Sequence, residues 1–300
     1  MTTSTVPSEG PVLNMASLIG AANPAVLRIL LGAQLRRLRE AKGITLEDAG
    51  YVIRASHSKI SRLEGGRVGF KDRDVVDLFI YYGVTDQAQL QALRGIAVRA
   101  NSRGWWLAYS DVLPAWFEEY ISLEEAATQI SGYEVQFVPG LLQTEEYARA
   151  VTLLVYSNPK EIARRVSLRM ARQARLSGAE PVSLGVVLDE AALCRPIGGR
   201  SVMRDQLAHL IEMSRRPNVT IQVLPFKVGG HAAAGGPFSV LHFADSDLSD
   251  IVYLEQLSTA QYLEKPDMVG KYQAVMERLR LEAATPEDSR KRLQAILNDS

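Results

Sequence analysis

Residues 45–66, TLEDAGYVIRASHSKISRLEGG, constrain the fold of this chain more than any other segment. Thr45 is a favourable N-cap for a helix, and Asp48 stands at the third helical position, where it can complete a near capping box. Apolar residues then recur on one face at helical spacing, namely Leu46, Ala49, Val52 and Ile53. This spacing predicts a short amphipathic helix that begins after Thr45.

A second short helix follows a break in the pattern at Arg54. Ser56 offers another N-cap hydroxyl, the helix runs from His57 to Glu64, and a Gly-Gly pair ends it. Its only large apolar residues are Ile60 and Leu63, which is too few for an ordinary core helix. The segment therefore predicts a helix, a tight turn and a helix that packs on one narrow stripe and exposes the rest.

The exposed face of this second helix carries hydrogen-bond donors and no acid. Each of its side chains can donate to a base edge or a phosphate, and none repels a polyanion. A short polar surface helix in an α-helical bundle is the alternative, but the caps, turn, apolar stripe and polar face agree on a DNA-reading unit. The residues predicted to bind DNA are Thr45, Ser56, His57, Ser58, Lys59, Ser61 and Arg62.

The flanks of the segment, LGAQLRRLREAKGITLEDAG and GRVGFKDRDVVDLFIYYGV, resemble those of phage-repressor-type (Xre) helix-turn-helix domains. Further motifs follow in order: GWW at 104–106, VPGLLQTEEYARAV at 138–151, RMARQARL at 169–176, VVLDEAAL at 186–193 and NVTIQVLPF at 218–226. From residue 25 on, the chain resembles the actinobacterial Xre-type transcriptional regulators that carry a large C-terminal domain of uncertain function. One departure is Arg54, at a turn position where repressors commonly have Gly. Either this residue carries left-handed strain or the turn differs slightly.

The resemblance implies a DNA-binding regulator whose partner is double-stranded DNA. It implies that His57, Ser58 and Arg62 face bases, whereas Lys59 and Ser61 lie nearer phosphates. In such families the gene often lies beside one for a small partner protein, in an arrangement likened to toxin–antitoxin pairs.

The resemblance also implies a structural pair and an oligomeric state. Arg39 of the first helix is expected to pair with Glu64, as matching positions do in phage-repressor folds, and so to lock the second motif helix to its support. A homodimer is expected because repressor-type domains gain affinity by joining two half-sites about one helical turn apart.

Charge is distributed unevenly along the chain. The 300 residues are 47% hydrophobic, with a mean hydropathy of −0.04 and a net charge of +0. Residues 1–110 hold 14 Lys and Arg against 9 Asp and Glu, so this part carries +5 and the remainder −5. A basic N-terminal part is what a DNA-binding domain requires, and an acidic C-terminal part is expected not to bind DNA.

Several other classes are disfavoured by composition. The single cysteine, Cys194, excludes an intrachain disulfide and a cysteine zinc cluster, and it is expected to be a partly buried small side chain rather than a redox switch. The four histidines lack the spacing of a metal site, so neither a metal nor a cofactor is expected. No stretch reaches the roughly 18 consecutive apolar residues of a membrane span, and no secretory signal is evident. A cytoplasmic protein without membrane contact is expected.

The chain is expected to comprise an α-helical N-terminal helix-turn-helix domain of five helices, a helical linker and a mixed α/β C-terminal domain. The boundaries are 1–24 for a flexible arm, 25–102 for the DNA-binding domain, 103–178 for the helical connector and 179–300 for an α/β regulatory or partner-binding domain. Besides the motif, helices are predicted at 25–42, 72–82, 86–101 (capped by Thr85), 118–131, 145–155, 161–176, 199–215, 266–284 and 289–297. A short extended segment is predicted at 135–138, and strands are predicted at 182–188, 219–224, 238–243 and 251–257.

Three tryptophans, Trp105, Trp106 and Trp116, lie close to the boundary after the first domain. Aromatic residues this dense usually pack against a neighbouring domain or a second subunit. The more specific alternative is that the tryptophans form a cage that binds a ligand. The three residues are therefore candidates for contact with a partner protein or a small-molecule ligand.

An arginine-rich helix follows in the connector, with Arg164, Arg165, Arg169, Arg172 and Arg175. These side chains could contact phosphate, but a solvated face or pairing with the acidic body is the preferred interpretation.

The residues show no strong catalytic pattern. The loop 229–236 is rich in glycine but lacks the Lys-Ser/Thr of a phosphate-binding loop. Asp189, Glu190 and Glu255 with His231 could perform acid–base chemistry. The plainer interpretation is that Asp189 or Glu190 caps the turn at 191–193, so no enzymatic activity is expected.

Three functions compete on this sequence. The preferred one is a sequence-specific transcriptional regulator whose C-terminal domain senses a partner protein or small ligand. The second is an antitoxin-like protein that sequesters a small partner protein and autoregulates through its helix-turn-helix. The third is a DNA-associated enzyme, which would need a cluster of perturbed titratable groups in a deep pocket.

Overall fold

A computed structural model describes residues 24–102, 104–244 and 249–299 of the chain. The predicted arm at 1–24 falls outside these residues except for its last position. The chain divides into two compact units, with the boundary between Gly104 and Trp105.

The described part of the N-terminal unit consists of five α-helices. They are α1 (Pro24–Ala41), α2 (Leu46–Val52), α3 (His57–Glu64), α4 (Asp72–Tyr81) and α5 (Gln87–Ala100). The helical fold expected from the sequence is therefore confirmed. One cap differs, because Asp86 and not Thr85 precedes α5, and its carboxylate accepts a hydrogen bond from the Ala88 amide at 2.9 Å.

The core of this unit lies between α1 and the helices that follow it. Leucines of α1 recur at helical spacing and are buried together with the two apolar residues of α3; these are Leu27, Leu31, Leu35, Leu38, Ile60 and Leu63. Gly32 lets α1 approach the end of α3 closely, since a Cβ atom at Gly32 would lie 2.5 Å from the carbonyl oxygen of Leu63. The buried leucine stripe and this glycine place α3 at the surface of the unit with its polar face outward.

The C-terminal unit combines helices with a mixed sheet. Its helices are α6 (Ala115–Ala126), α7 (Glu145–Leu153), α8 (Pro159–Arg172), α9 (Glu190–Cys194), α10 (Arg200–Met213), α11 (Pro266–Glu282) and α12 (Pro286–Asp299). Its strands are β1 (Gln129–Glu134), β2 (Ser183–Asp189), β3 (Val219–Leu224), β4 (Phe238–His242), β5 (Ile251–Glu255) and β6 (Ala260–Leu263).

The described strands form one sheet in the order β3-β2-β1-β4-β5-β6. Strands β1, β2 and β3 are parallel, whereas β4, β5 and β6 each run antiparallel to the preceding neighbour in the sheet. Tyr133 of β1 is level with Val187 of β2 and Phe238 of β4, and all three belong to one apolar cluster with Met276 and Leu279 of α11. We call this side of the sheet the α11 face.

The predicted separation of a helical connector (103–178) from an α/β domain (179–300) differs from this arrangement. Strand β1 comes from the predicted connector and lies between β2 and β4. The helix predicted at 118–131 ends at Ala126. The strand in this part of the chain is 129–134, which lies before the short extended segment predicted at 135–138. Pairing with two distant strands decides the conformation of this segment, and local sequence pattern does not contain that information.

The remaining strand and cap predictions agree closely with the structure. The strand predicted at 219–224 is β3, and those predicted at 182–188, 238–243 and 251–257 correspond to β2, β4 and β5. Thr144 caps α7 as predicted, and Asp189 caps α9 by accepting a hydrogen bond from the Ala191 amide at 2.8 Å. Strand β6 was not predicted. Among the described residues, no helix is both long and apolar enough to cross a membrane.

Candidate nucleic-acid interface

Helix α2 starts with a reciprocal capping box. The Asp48 amide donates to Thr45 Oγ1 at 3.1 Å, and the Thr45 amide donates to Asp48 Oδ2 at 3.4 Å. The Thr45 hydroxyl also donates to the same carboxylate oxygen at 2.7 Å. Thr45 thus fixes the start of the motif, and its hydroxyl hydrogen is already used within the protein.

The turn between α2 and α3 is tight and contains an unusual backbone conformation. Arg54 has a φ of 52°, and among the described residues it is the only residue other than glycine with a positive φ. The Ala55 amide donates to the Gly50 carbonyl at 2.8 Å and closes the turn. A Cβ atom at Gly50 would lie 2.5 Å from the Ala55 carbonyl oxygen. The turn therefore requires glycine at position 50 of α2, and not at position 54. The left-handed conformation expected as one possibility for Arg54 is therefore present.

Helix α3 is held at both ends by local hydrogen bonds. Ser56 Oγ accepts from the Lys59 amide at 3.3 Å. At the other end Gly66 has a φ of 66°, its amide donates to Leu63, and the Arg67 amide donates to the Arg62 carbonyl at 2.8 Å. This pair of bonds is a Schellman motif, which ends the helix sharply.

The polar residues of α3 are mostly exposed. His57, Ser58, Ser61 and Arg62 are exposed, whereas Ile60 and Leu63 are buried against the unit. Lys59 is half-buried and its ammonium lies 3.1 Å from Asp74 Oδ2 of α4. A phosphate contact by Lys59, as the sequence predicts, would have to compete with this carboxylate.

Arg39 and Glu64 form a buried bidentate ion pair, as the resemblance to phage-repressor domains implies. The distances are 2.6 Å from Arg39 Nε to Glu64 Oε1 and 2.9 Å from Nη2 to Oε2. Arg39 Nη1 also donates to the Ile44 carbonyl at 2.8 Å, and the hydrogen bond to Glu64 raises the pKa of Arg39. This pair fastens the last residue of α3 to α1 and to the start of the motif.

Two exposed residues at the turn were not included among the predicted DNA contacts. Tyr51, near the end of α2, is 88% exposed, and Arg54 is also exposed. An aromatic ring this exposed departs from the amphipathic pattern of α2, which is the signal that could have pointed to it.

The three tryptophans lie in the C-terminal unit and differ in exposure. Trp106 is buried, while Trp105 is 37% exposed and its indole N–H donates to Glu125 at 2.9 Å. The rings of Trp105 and Trp106 meet edge to face, with their centroids 6.0 Å apart. The ring of Trp116 contacts Phe117 instead, with 5.6 Å between the ring centroids. Of these candidate contacts for a partner or ligand, Trp105 and the half-buried Trp116 offer accessible surface.

The arginine-rich helix α8 pairs with the acidic body, as preferred from the sequence. Arg172 and Glu124 form a buried bidentate pair at 2.8 and 2.7 Å. Arg164 pairs with Asp111 at 2.8 Å, and Arg165 pairs with Glu161 at 2.9 Å. These arginine side chains already form ion pairs within the unit, which disfavours a role in phosphate binding.

The acid–base candidates of the C-terminal unit are only partly brought together. Tyr133 Oη lies 3.2 Å from His231 Nε2 and 3.5 Å from Asp189 Oδ2. Glu190 is instead bound by Arg292 at 2.8 Å, and Glu255, on the opposite face of the sheet, accepts from Tyr253 at 3.0 Å.

The α11 face also carries a hydrogen-bonded group of polar side chains that the sequence pattern does not predict. Ser131 Oγ lies 3.3 Å from His242 Nε2, and His242 Nδ1 lies 2.6 Å from Asp250 Oδ2. The order resembles a nucleophile, base and orienting acid. However, Ser131 is only 1% exposed in the middle of β1, and its oxygen accepts from Arg280 at 2.8 Å. A nucleophile needs an accessible oxygen with a free lone pair, so this geometry does not support a nucleophilic role for Ser131.

Cys194 is exposed at the end of α9, and not partly buried as predicted. Its helix has buried residues at Glu190, Ala192 and Leu193, whereas Cys194 at its last position faces solvent. Among the described residues, no group of three or more His, Cys, Asp or Glu side chains is placed to hold a metal ion.

The fold and the polar helix define a protein with a helix-turn-helix head and a larger α/β body. Residues 30–93 match a family of helix-turn-helix domains, which indicates a DNA-binding regulator. Residues 117–295 match a family described as a domain of unknown function, DUF5753. Because this match covers more than half of the chain, the chain belongs to the DUF5753 family. No curated protein and no solved structure matches the chain significantly.

Proposed function

We propose that this chain is a sequence-specific transcriptional regulator of the phage-repressor (Xre) type, as found in actinobacteria. The observation that carries the proposal is the exposed face of α3, which presents His57, Ser58, Ser61 and Arg62 without an acid. A rigid helix with a donor-rich face is what major-groove readout requires. The caps of α3 and the pair of Arg39 with Glu64 supply the rigidity.

The proposed regulator is a homodimer. A single recognition helix contacts only a few base pairs, and two linked copies bind a two-fold operator with much greater affinity. Half-sites about one helical turn apart are expected.

The C-terminal unit is proposed to be a sensor without enzymatic activity, which responds to a partner protein or a small ligand. Arg164 and Arg172 of α8 pair with acids of the same unit, and the net charge of this part of the chain is negative, which disfavours a second DNA site. A signal that binds the DNA-competent and incompetent states with a difference of about 1.4 kcal/mol changes activity tenfold.

An antitoxin-like protein that sequesters a small partner protein is the second candidate. The observation that favours it is an exposed apolar run at the end of α7, where Leu153, Leu154 and Val155 are 57%, 62% and 70% exposed. Adjacent exposed apolar residues are typical of protein–protein contact. Purification of the tagged chain from its native host, before and after substitution of these three residues by Ser, separates the two candidates.

Selection of binding sites from random DNA with the full chain tests the main proposal and supplies an operator. Arg62→Ala should then lose about 1–3 kcal/mol on the selected site and much less on random DNA, because a base contact carries sequence information. Arg94→Ala on α5 is the matched control, since Arg94 is an exposed arginine paired with Asp72 at 3.2 Å. Equal losses on both DNAs would remove the base-reading role of Arg62, and failure to select any site would remove the proposal.

A further inference from the structure

The α11 face of the sheet is apolar at one end and polar at the other. Toward the carboxyl ends of β1 and β2 it carries the apolar cluster that packs on α11. Toward their amino ends the same face carries hydroxyl, amide and imidazole groups; these belong to Gln129, Ser131, Ser183, Thr220, Gln222 and His242. A helix-covered sheet normally shows apolar side chains there, so this end is a groove and not part of the core.

Two adjoining cavities occupy the groove, and Gln129 and Arg280 lie in the walls of both. The larger has a volume of about 230 Å³ and the smaller about 190 Å³. The larger lies over β1, β2 and β3, and the smaller lies between β1, β4 and α11.

Arg280 reaches from α11 across the floor of the groove. Its Nη2 donates to Ser131 Oγ at 2.8 Å and its Nη1 donates to Glu277 Oε1 at 2.6 Å. Gly185 of β2 makes room for it, since a Cβ atom there would lie 3.3 Å from Nη2. A guanidinium group has five N–H donors, and these two bonds use only part of that capacity.

Among the described residues, the wall of the larger cavity contains one charged side chain, that of Arg280. The other polar groups of this wall are the amides of Gln129 and Gln222 and the hydroxyls of Ser183 and Thr220. Glu277, the partner of Arg280, lines only the smaller cavity, and its side chain is 67% exposed. An exposed glutamate can move away into water when a better anion reaches the guanidinium.

We propose that this groove binds a small organic monocarboxylate, whose carboxylate pairs with Arg280 in the larger cavity. The inference rests on the sensor role proposed for the C-terminal unit and names the class of ligand. A planar carboxylate matches the fork of a guanidinium and takes two parallel hydrogen bonds from it. One arginine balances one negative charge, whereas a phosphate dianion would leave a charge unbalanced in the groove.

The surroundings limit the ligand further. Asp250 accepts hydrogen bonds at 2.6 Å from His242 and from Gln273, two residues that line the smaller cavity. The carboxylate of Asp250 is therefore already bound within the protein. A second carboxylate on the ligand would meet Glu277, which lines the smaller cavity. A cavity of about 230 Å³ holds a compact body of roughly ten non-hydrogen atoms, since a cavity of about 150 Å³ holds benzene.

Calorimetric titration of the full chain with benzoate, acetate, phthalate and inorganic phosphate tests the proposal. Saturable binding of benzoate is expected, with phosphate and phthalate at least tenfold weaker. Arg280→Gln should weaken benzoate binding at least tenfold. The matched control is Arg278→Gln, because Arg278 lies on the same helix, is 67% exposed and pairs with Glu282, and it should bind benzoate as the unmodified chain does.

Ser183→Leu provides a second variant that keeps Arg280 and fills the cavity from an exposed position on β2, so it should also abolish binding. No saturable benzoate binding, equal weakening by Arg278→Gln, or phosphate binding as tight as benzoate would each overturn the proposal. Affinity for the selected DNA site, measured in parallel without carboxylate, reports on the proposed regulator independently. If the unmodified chain binds the selected DNA site but shows no saturable benzoate binding, the groove proposal is rejected and the proposed regulator stands.

Discussion

The buried ion pair of Arg39 and Glu64 joins α1 to the last residue of α3. Glu64→Gln leaves the Arg39 charge buried without its partner, and removal of one member of such a pair costs about 3–5 kcal/mol. We expect faster amide hydrogen exchange in α1 and α3 of the full chain. Arg36→Gln is the control, because Arg36 pairs with Glu40 at the surface with both side chains 53% exposed. Unchanged exchange in the Glu64→Gln chain would show that the pair contributes nothing to stability.

Glu134 at the end of β1 should make the stability of the C-terminal unit depend on pH. Burial, with a smaller contribution from the nearby Glu255 charge, raises the pKa of Glu134 to about 8. Between the ordinary value of 4.5 and about 8, the folded chain holds a proton that the unfolded chain releases. The free energy of unfolding therefore falls as the pH rises through this window.

Glu134→Gln cannot ionise, so its stability relative to the unmodified chain should rise from pH 5 to pH 8. Each pKa unit corresponds to about 1.4 kcal/mol, and partial solvent access reduces the expected gain to about 1–3 kcal/mol. Urea unfolding followed by tryptophan fluorescence measures it, because all three tryptophans lie in this unit. Glu146→Gln, at an exposed glutamate, is the control. The same difference at both pH values would contradict the raised pKa.

At the scale of elements, the turn between α2 and α3 stores strain at Arg54. A left-handed conformation costs an L-residue about 1–2 kcal/mol, which glycine avoids, although glycine loses more chain entropy on folding. Arg54→Gly should therefore match or slightly exceed the stability of the unmodified chain, whereas Arg54→Val should lower it, since a β-branched side chain is worst at positive φ. Hydrogen exchange in α2 and α3 distinguishes them. A Val variant as stable as the Gly variant would mean that the turn relaxes.

The elements differ in how far the sequence predicts them, and the reason is the range of the interactions that form them. Helices α2 and α3 depend on caps at Thr45 and Ser56 and on one apolar stripe, all within a few residues, and their bounds follow from the sequence. Strand β1 forms because distant β2 and β4 pair with it, and its local pattern was interpreted as helix and loop. Strand β6 is a short edge strand that pairs only with β5 among the described strands, so it carries little apolar signal.

The same distinction applies to the candidate sites. The exposed donors of α3 could be predicted because a helix places residues three and four positions apart on one face. The groove beside Arg280 could not, since Ser131, His242 and Arg280 come from β1, β4 and α11 and meet only through the sheet register. The resemblance to known regulators identifies the DNA-binding unit. The polar groove of the C-terminal unit is visible only in the structure.

At the scale of the whole molecule, the proposed dimer is testable in solution and on DNA. Light scattering of the full chain should give twice the 33.0 kDa of one chain. The selected operator should contain two inverted half-sites whose centres lie about 10 base pairs apart, so that both copies of α3 enter the major groove on one side of the duplex. Inserting about 5 base pairs between the half-sites turns one of them to the opposite side and should weaken binding sharply, whereas inserting about 10 should restore part of the affinity. A particle of single-chain mass that protects one half-site and tolerates every spacing equally would show that the chain reads DNA as a monomer.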